Sequence, residues 1–333
     1  MRFLIVSFGS IGRRHFRNLQ TLGETDIILL RSNKSTLDTE EIAQFVVETN
    51  LDKALAHRPD VVLLTNPTAL HLDVAIPAAR LGCHLFFEKP IAESMERIPE
   101  LLDALKVGGG KAFTAFQFRF HPGLRKIKNL INDGSIGQVI SARAHWGEYV
   151  PGWHPWEDYK TSYSTREDLG GGVIRTLSHP LDYMRWLFGE VKYLSSFYLP
   201  VSALDVPTEA IAEIGMQFEN DIVGSVHVNY IERPGQHTLE IIGDGGTIRW
   251  DNADGAVDLY SVERAEWQRF ELPVGFERND LFLAEMRNFL EFIQENKPAA
   301  CTLDDGIQTQ RLIEAAFLSG RNKEQICLSE KEN

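Results

Sequence analysis

Cysteine is scarce in this sequence of 333 residues and nowhere paired: Cys83, Cys301 and Cys327 form no CxxC spacing and have no His-rich neighbourhood. That argues against a disulfide framework or a zinc ribbon and leads us to expect reduced thiols, a cytoplasmic protein and no metal site. Long apolar runs are missing too. No stretch approaches about 18 uninterrupted apolar residues, so no membrane span is expected. The start, MRFLIVSFGS, is apolar only briefly before Gly and Arg, which does not read as a signal peptide. Basic charge is short: 34 Lys+Arg against 47 Asp+Glu leave a net charge of −13. A chain that grips a nucleic-acid backbone needs a basic face, so nucleic acid is excluded as the expected partner. No HExxH and no GxSxG occur, which removes the usual metalloprotease and serine hydrolase signatures. There is no internal repeat and no low-complexity segment. A globular chain of about two domains is left.

The missing basic charge is unevenly distributed. Residues 1–118 carry 13 Lys+Arg against 14 Asp+Glu, residues 119–180 carry 8 against 6, and residues 181–333 carry 13 against 27. The acidity of the last part reads as a solvated, solubilising surface. The first two parts are nearly neutral or slightly basic, as the binding of anionic ligands requires.

Residues 1–120 alternate short apolar runs with helical patterns. Strands are expected at 3–6, 26–30, 61–65, 84–87 and 111–116, and helices at 11–22 and 70–81. Continuous apolar strands separated by helices predict a parallel sheet covered on both faces, an α/β Rossmann domain. From residue 121 to 333 the pattern changes. A helix at 122–133 precedes strand-like runs at 139–145, 193–198, 210–218, 222–230, 238–242, 247–250, 257–261 and 268–272, with turn signals between them. Two helical patterns, 279–296 and 304–320, close the chain. This predicts an α+β domain with a large, open, mostly antiparallel sheet.

Ser7-Phe8-Gly9-Ser10-Ile11-Gly12 follows the first strand and opens the first helix. It is G-x-G-x-x-G with its first Gly replaced by Ser. Gly9 lets the backbone approach a pyrophosphate, Gly12 permits close helix–strand packing, and the helix start, Ser10 and Ile11 included, offers unpaired N–H groups to the anion. At the end of the second strand an NAD site usually supplies an acid to the ribose hydroxyls. Here the run is Arg31-Ser32-Asn33-Lys34-Ser35, with no acid before Asp38. Arg31, Ser32 and Lys34 suit a 2′-phosphate, so NADP is expected over NAD.

Thr65-Asn66-Pro67-Thr68-Ala69-Leu70-His71 and Gly82-Cys83-His84-Leu85-Phe86-Phe87-Glu88-Lys89-Pro90 resemble two signature stretches of the Gfo/Idh/MocA oxidoreductases. Phe116-Gln117-Phe118-Arg119-Phe120-His121-Pro122 resembles the segment with which that family leaves its nucleotide domain. Gly170-Gly171-Gly172 followed by Ser178-His179-Pro180-Leu181-Asp182 resembles its catalytic helix. The resemblance covers essentially the whole chain. It implies a substrate domain whose sheet often joins subunits, hence a homo-oligomer, dimer or tetramer. It also implies hydride transfer between a sugar or cyclitol hydroxyl and a nicotinamide. Asn66, Pro67, His71, Glu88, Lys89 and Gln117 would lie beside the dinucleotide, with Lys89 near the nicotinamide and His179 catalytic. The chemistry agrees. Removing a hydroxyl proton as hydride leaves the same carbon calls for a near-neutral base such as imidazole, and an ammonium steadies the alkoxide that develops. Pro90 restricts Lys89 to extended geometry at the strand end.

One position departs from the pattern. The family has Asp four residues before the catalytic His, and this chain has Arg175. Asp182 could cap the helix or orient the ring of His179. Arg175 could instead meet an anionic group on the substrate, with Lys160 and Arg166 near it in sequence. Lys89, Arg166, Arg175 and His179 are then the polar substrate contacts, and Trp153 and Tyr163 supply contacts to a sugar ring. Two further readings stay open: redox-assisted glycoside cleavage with retained NAD, and a non-catalytic dinucleotide-binding sensor. Release of free NADPH, cleavage without net cofactor consumption, and binding without turnover tell the three apart.

Overall fold

Each early apolar run becomes a strand because both of its faces can be buried. In the computed structural model, which describes residues 1–32, 40–155 and 157–328, β1 (Phe3–Val6) and the strand at Val61–Leu64 are buried at every position. The packing divides the chain into two compact units, Met1–Gln117 with Glu277–Gln310, and Phe118–Phe276 with Arg311–Asn333.

The first unit holds β1, α1 (Ser10–Thr21), β2 (Ile27–Leu30), β3 (Val46–Glu48), α2 (Leu51–Ala56), β4 (Val61–Leu64), α3 (His71–Arg80), β5 (His84–Glu88), α4 (Ile98–Gly108) and β6 (Ala112–Ala115). Every strand pair is parallel and the order is β3-β2-β1-β4-β5-β6. This is the doubly wound dinucleotide order, and its strand order reverses between β1 and β4, where ligands bind outside the carboxyl ends of the strands. Three elements lie outside the sequence expectation. Of these, β3 is a three-residue edge strand whose Val46 and Val47 are exposed, so it carries no buried apolar signal.

The second unit holds α5 (Pro122–Asn132), β7 (Val139–Tyr149), α6 (Val173–Thr176), α7 (His179–Phe188), β8 (Val191–Leu199), β9 (Ile211–Phe218), β10 (Val223–Asn229), β11 (Ile231–Gly243), β12 (Gly246–Asp251), β13 (Val257–Ser261) and β14 (Glu266–Phe270). Later in the chain follow α8 (Arg278–Glu295), α9 (Leu303–Asn322) and β15 (Ile326–Cys327). The nine-stranded sheet runs β14-β13-β12-β11-β7-β10-β9-β8-β15 and is antiparallel except where β10 meets β7. Its strands alternate. Ala142 and Ala144 are buried in the core with Leu181 and Met184, while Arg143 between them is exposed. The expected strand at 238–242 begins at Ile231 instead. Pro234 and Gly235 read as a break, but a register shift between Ile231 and Gln236 absorbs them as an irregularity in a continuing strand.

Where the sequence reading divides the chain once, at 120/121, the packing exchanges a segment. Helix α8 counts with the first unit because its apolar side packs there. Phe289 meets Phe86 and Phe113 at 5.2 and 5.7 Å, and Arg14 lies over the ring of Phe282. The boundary between the units falls within α9.

Candidate active site

The turn between β1 and α1 is held from both sides. Ser7 N–H donates to Leu30 O at 2.8 Å, and Thr65 Oγ1 donates to Val6 O at 2.7 Å. Ser7 itself sits at φ +77°, the left-handed conformation for which the fingerprint's first Gly is used. A Cβ at Gly12 would collide with the carbonyl oxygen of Ser7 and stand 2.8 Å from Thr65 Oγ1, so only Gly allows this approach of helix to strand. A Cβ at Gly9 would meet nothing within 4 Å among the described residues. Ser10 and Ile11 open α1, which has no acid in its first turn and no side-chain cap. An anion at Gly9 would meet N–H groups and the positive end of a 12-residue helix.

At the end of β2, Arg31 N–H donates to Glu48 O at 2.9 Å. The guanidinium groups of Arg31 and Arg13 lie 5.7 and 5.1 Å from the centre of the Phe8 ring. Arg13, which sequence reasoning passed over, also pairs with Glu41 at 3.0 Å. Ser32 follows Arg31 with no regular structure, and Lys34 lies outside the described residues.

The loops after β4, β5 and β6 bring the next group of expected residues to the same sheet end. Asn66 Oδ1 is buried with no hydrogen-bond partner among the described residues, an acceptor fitted to a donor on a ligand. Pro67 leads into the turn Thr68–Leu70. His71 is buried, with Nε2 2.9 Å from Asn66 O and Nδ1 3.3 Å from Ile91 O. It ties the loop after β4 to the loop after β5, and burial lowers its pKa. Glu88 closes β5; its Oε1 lies 2.7 Å from Nε2 of His15 on α1, and its Oε2 accepts from Lys89 N–H at 3.3 Å. Lys89 is half-buried. Gln117 is buried at the start of a 3₁₀ turn beyond β6.

In the second unit, His179 opens α7 and is 2% exposed. Its ring lies 5.7 Å from Trp146, nearly parallel, and 5.0 Å from Phe118, edge on. Trp146 stacks in turn on His237 at 4.2 Å, and its indole N–H donates to Glu148 Oε1 at 2.7 Å. Asp182 forms a buried two-pronged ion pair with Arg119, at 3.0 Å to Nε and 2.6 Å to Nη2. Neither the cap nor the ring-orienting role anticipated that partner.

Arg175 on α6 is half-buried. Its guanidinium is 4.5 Å from the centre of the Phe317 ring, and Nη1 donates to Gly171 O at 3.4 Å. Glu209 lies under the glycine run: Oε1 accepts from Ile174 N–H at 3.1 Å, and a Cβ at Gly172 would strike the carboxylate. Burial pushes the Glu209 carboxyl up to about 7, with the charge of Arg175 opposing. No spacing rule pointed to Glu209. The expected cationic cluster has local partners: Arg166 donates through Nε to Asp168 at 2.9 Å, and Lys160 to Asp205 at 2.7 Å. Trp153 stands edge on to Tyr230 at 5.5 Å, its indole N–H buried with no acceptor among the described residues. Tyr163 is exposed in the 3₁₀ turn Tyr163–Thr165.

Family comparison covers both units. A model described as "Oxidoreductase family, NAD-binding Rossmann fold" matches residues 1–116, and one described as "Oxidoreductase family, C-terminal alpha/beta domain" matches 128–328. The chain is 28% identical over 331 residues to the uncharacterized oxidoreductase YrbE of Bacillus subtilis (strain 168), covering 94% of this chain and 92% of the relative. It is 23% identical over 350 residues to myo-inositol 2-dehydrogenase of Thermotoga maritima, covering 99% of each. The structure of levoglucosan dehydrogenase in complex with NADH and levoglucosan superposes with a TM-score of 0.86 at 20% identity, covering 99% of this chain and 100% of that one. That likeness concerns the fold.

Proposed function

For a chain that belongs to the Gfo/Idh/MocA oxidoreductase family, with an NAD-binding Rossmann unit, we propose a dehydrogenase that oxidises a hydroxyl of a sugar, cyclitol or sugar derivative, reversibly, with NADP preferred over NAD. The observation that carries this reading is the sheet end of the first unit. There the open backbone at Gly9, the unpartnered Asn66 Oδ1 and the Glu88–Lys89 pair stand after β1, β4 and β5. Dehydrogenases among the relatives and fold neighbours, one named for myo-inositol and one holding levoglucosan, support the substrate class.

These residues fit a dinucleotide. Gly9, Ser10, Ile11 and Gly12 would hold the pyrophosphate, Arg31 and Ser32 the 2′-phosphate, and Asn66, Pro67, Glu88, Lys89 and Gln117 the nicotinamide end, with His71 bracing their loops. Bound nicotinamide supplies a hydride acceptor. The imidazole of His179 takes the proton of the substrate hydroxyl, and the Lys89 ammonium donates to that oxygen, stabilising negative charge as it grows. Arg175, with its flat guanidinium against Phe317, meets an anionic substituent where the substrate has one. Trp153, Tyr163 and Arg166 complete the substrate side.

The supporting case for assembly and compartment is of the same kind. Phe197, Leu199, Val223 and Ile242 stand exposed on β8, β10 and β11, which suits a homo-oligomer joined through the sheet. Cys83, Cys301 and Cys327 form no disulfide among the described residues, which suits the cytoplasm, and no helix of the described residues is long and apolar enough to cross a membrane.

The test is turnover, followed at 340 nm, over a panel of sugars, sugar acids and cyclitols. The wild type is expected to form free NADPH, Lys89→Ala and His179→Ala to lose most of that activity, and Arg175→Ala to raise KM for sugar acids alone. No turnover over the whole panel, with tight NADP binding, would overturn the dehydrogenase reading. Titrations with NADP and NAD check the cofactor. Arg31→Ala is expected to weaken NADP about tenfold or more, the size of one lost charge-assisted contact, and NAD much less. Equal losses would remove the 2′-phosphate contact.

A further inference from the structure

Resting on the reading of Lys89 as the residue beside the nicotinamide, we infer that His15 is a positioning residue, which through Glu88 fixes the backbone from which the Lys89 ammonium projects. His15 lies on α1, three residues past Gly12, and is fully buried. Its ring stands edge on to Phe86 at 4.9 Å and to Phe282 at 6.2 Å, which restricts its rotation. Nε2 lies 2.7 Å from Glu88 Oε1. An ionised carboxylate only accepts, so Nε2 carries the proton of this bond.

The second oxygen of the same carboxylate accepts from the amide of Lys89 at 3.3 Å. Glu88 is therefore gripped at both oxygens, once from the helix that opens at the glycine turn and once from the backbone of the reacting lysine. A short hydrogen-bonded chain, α1 to His15 to Glu88 to the Lys89 amide, links the helix after the glycine turn to the backbone that carries the ammonium. It crosses from the element after β1 to the end of β5. Lost registry here matters because an alkoxide-stabilising donor works only within a few tenths of an ångström of its place. Removing the imidazole leaves Glu88 Oε1 without this donor, and the carboxylate then has reason to turn away from the Lys89 amide toward water.

The experiment uses the full chain saturated with NADPH and carrying ¹³C-methylated lysines, with the Lys89 signal assigned by its loss in Lys89→Arg. His15→Leu is expected to displace that signal and to lower kcat on the best substrate of the panel by roughly 10- to 100-fold. NADPH affinity should stay within about twofold, since the glycine turn is untouched. His15→Gln, whose amide N–H can reach the carboxylate, should restore the signal and part of the rate. If the Leu variant does not fold, Glu88→Gln reports the same displacement. A Lys89 signal at its wild-type position in both variants overturns the inference. So does a loss confined to NADPH affinity, which assigns His15 to helix packing alone. Full turnover by Lys89→Ala would instead defeat the reading of Lys89 itself, and the signal displacement is measured independently of it.

Discussion

Ser7 occupies a backbone conformation that an L-residue enters at a penalty of about 1–2 kcal/mol. It does so because the turn from β1 to α1 must close within reach of Leu30 on one side and Thr65 on the other. Ser7→Gly removes that strain and adds about 0.5–1 kcal/mol of unfolded-chain entropy. The net expectation is a gain of a few tenths to about 1 kcal/mol, read as a rise of roughly 1–3 °C in the thermal midpoint of the ligand-free protein. A lower midpoint would show that the serine side chain stabilises the turn by more than its strain. At this scale the glycine motif was legible, missing Gly included, because backbone demands are written in residue identity. His15 and Glu209 were not, because each matters through a partner distant in sequence, Glu88 for one and the α6 backbone for the other.

Two helix starts are held by titratable groups that pull in opposite directions with pH. His121 caps α5 by accepting from Gly123 N–H through Nδ1 at 3.1 Å, which requires a neutral ring, and burial pushes its pKa down to about 4. A depressed imidazole contributes stability that is present above about 6.5 and lost as pH falls toward 4, roughly 3 kcal/mol over that window. Glu209, by contrast, is pushed up to about 7 by burial. Its stability is present below the ordinary carboxyl range and lost as pH rises toward 7, by a similar roughly 3 kcal/mol. Urea unfolding at pH 4.5 and 7.5 should separate them. His121→Asn, which keeps a cap acceptor, should shrink the advantage of pH 7.5 over pH 4.5 relative to wild type, and Glu209→Gln should enlarge it. Changes of the same sign in both variants would refute this pairing. Elements were legible where burial is two-sided or strictly alternating, as in β1, β4 and β9. They were illegible where a bulge hides a strand behind Pro234, and where β3 is too short and exposed to show a pattern.

Charge, like apolar burial, is unevenly distributed along the whole chain. The two-domain plan was legible because the periodicity changes near residue 120. The return of α8 to the first unit was not, because an amphipathic helix does not state which apolar surface it covers. The proposed assembly must overcome the excess of 27 Asp+Glu over 13 Lys+Arg in residues 181–333, since like-charged copies repel. The exposed sheet residues supply the opposing term: Phe197 is 77% and Leu199 64% exposed on β8. At 0.15 M salt the screening length is about 8 Å, so repulsion spread over the surface weakens with ionic strength while apolar contact does not. The wild type should therefore run as an oligomer whose dissociation constant falls between about 20 and 300 mM salt, a range over which the Debye length shrinks severalfold. Phe197→Glu should run as a monomer at both, by light scattering after size exclusion, with an unchanged circular dichroism spectrum. A wild-type monomer at every concentration, or an oligomer indifferent to Phe197→Glu, would remove the sheet face as the contact.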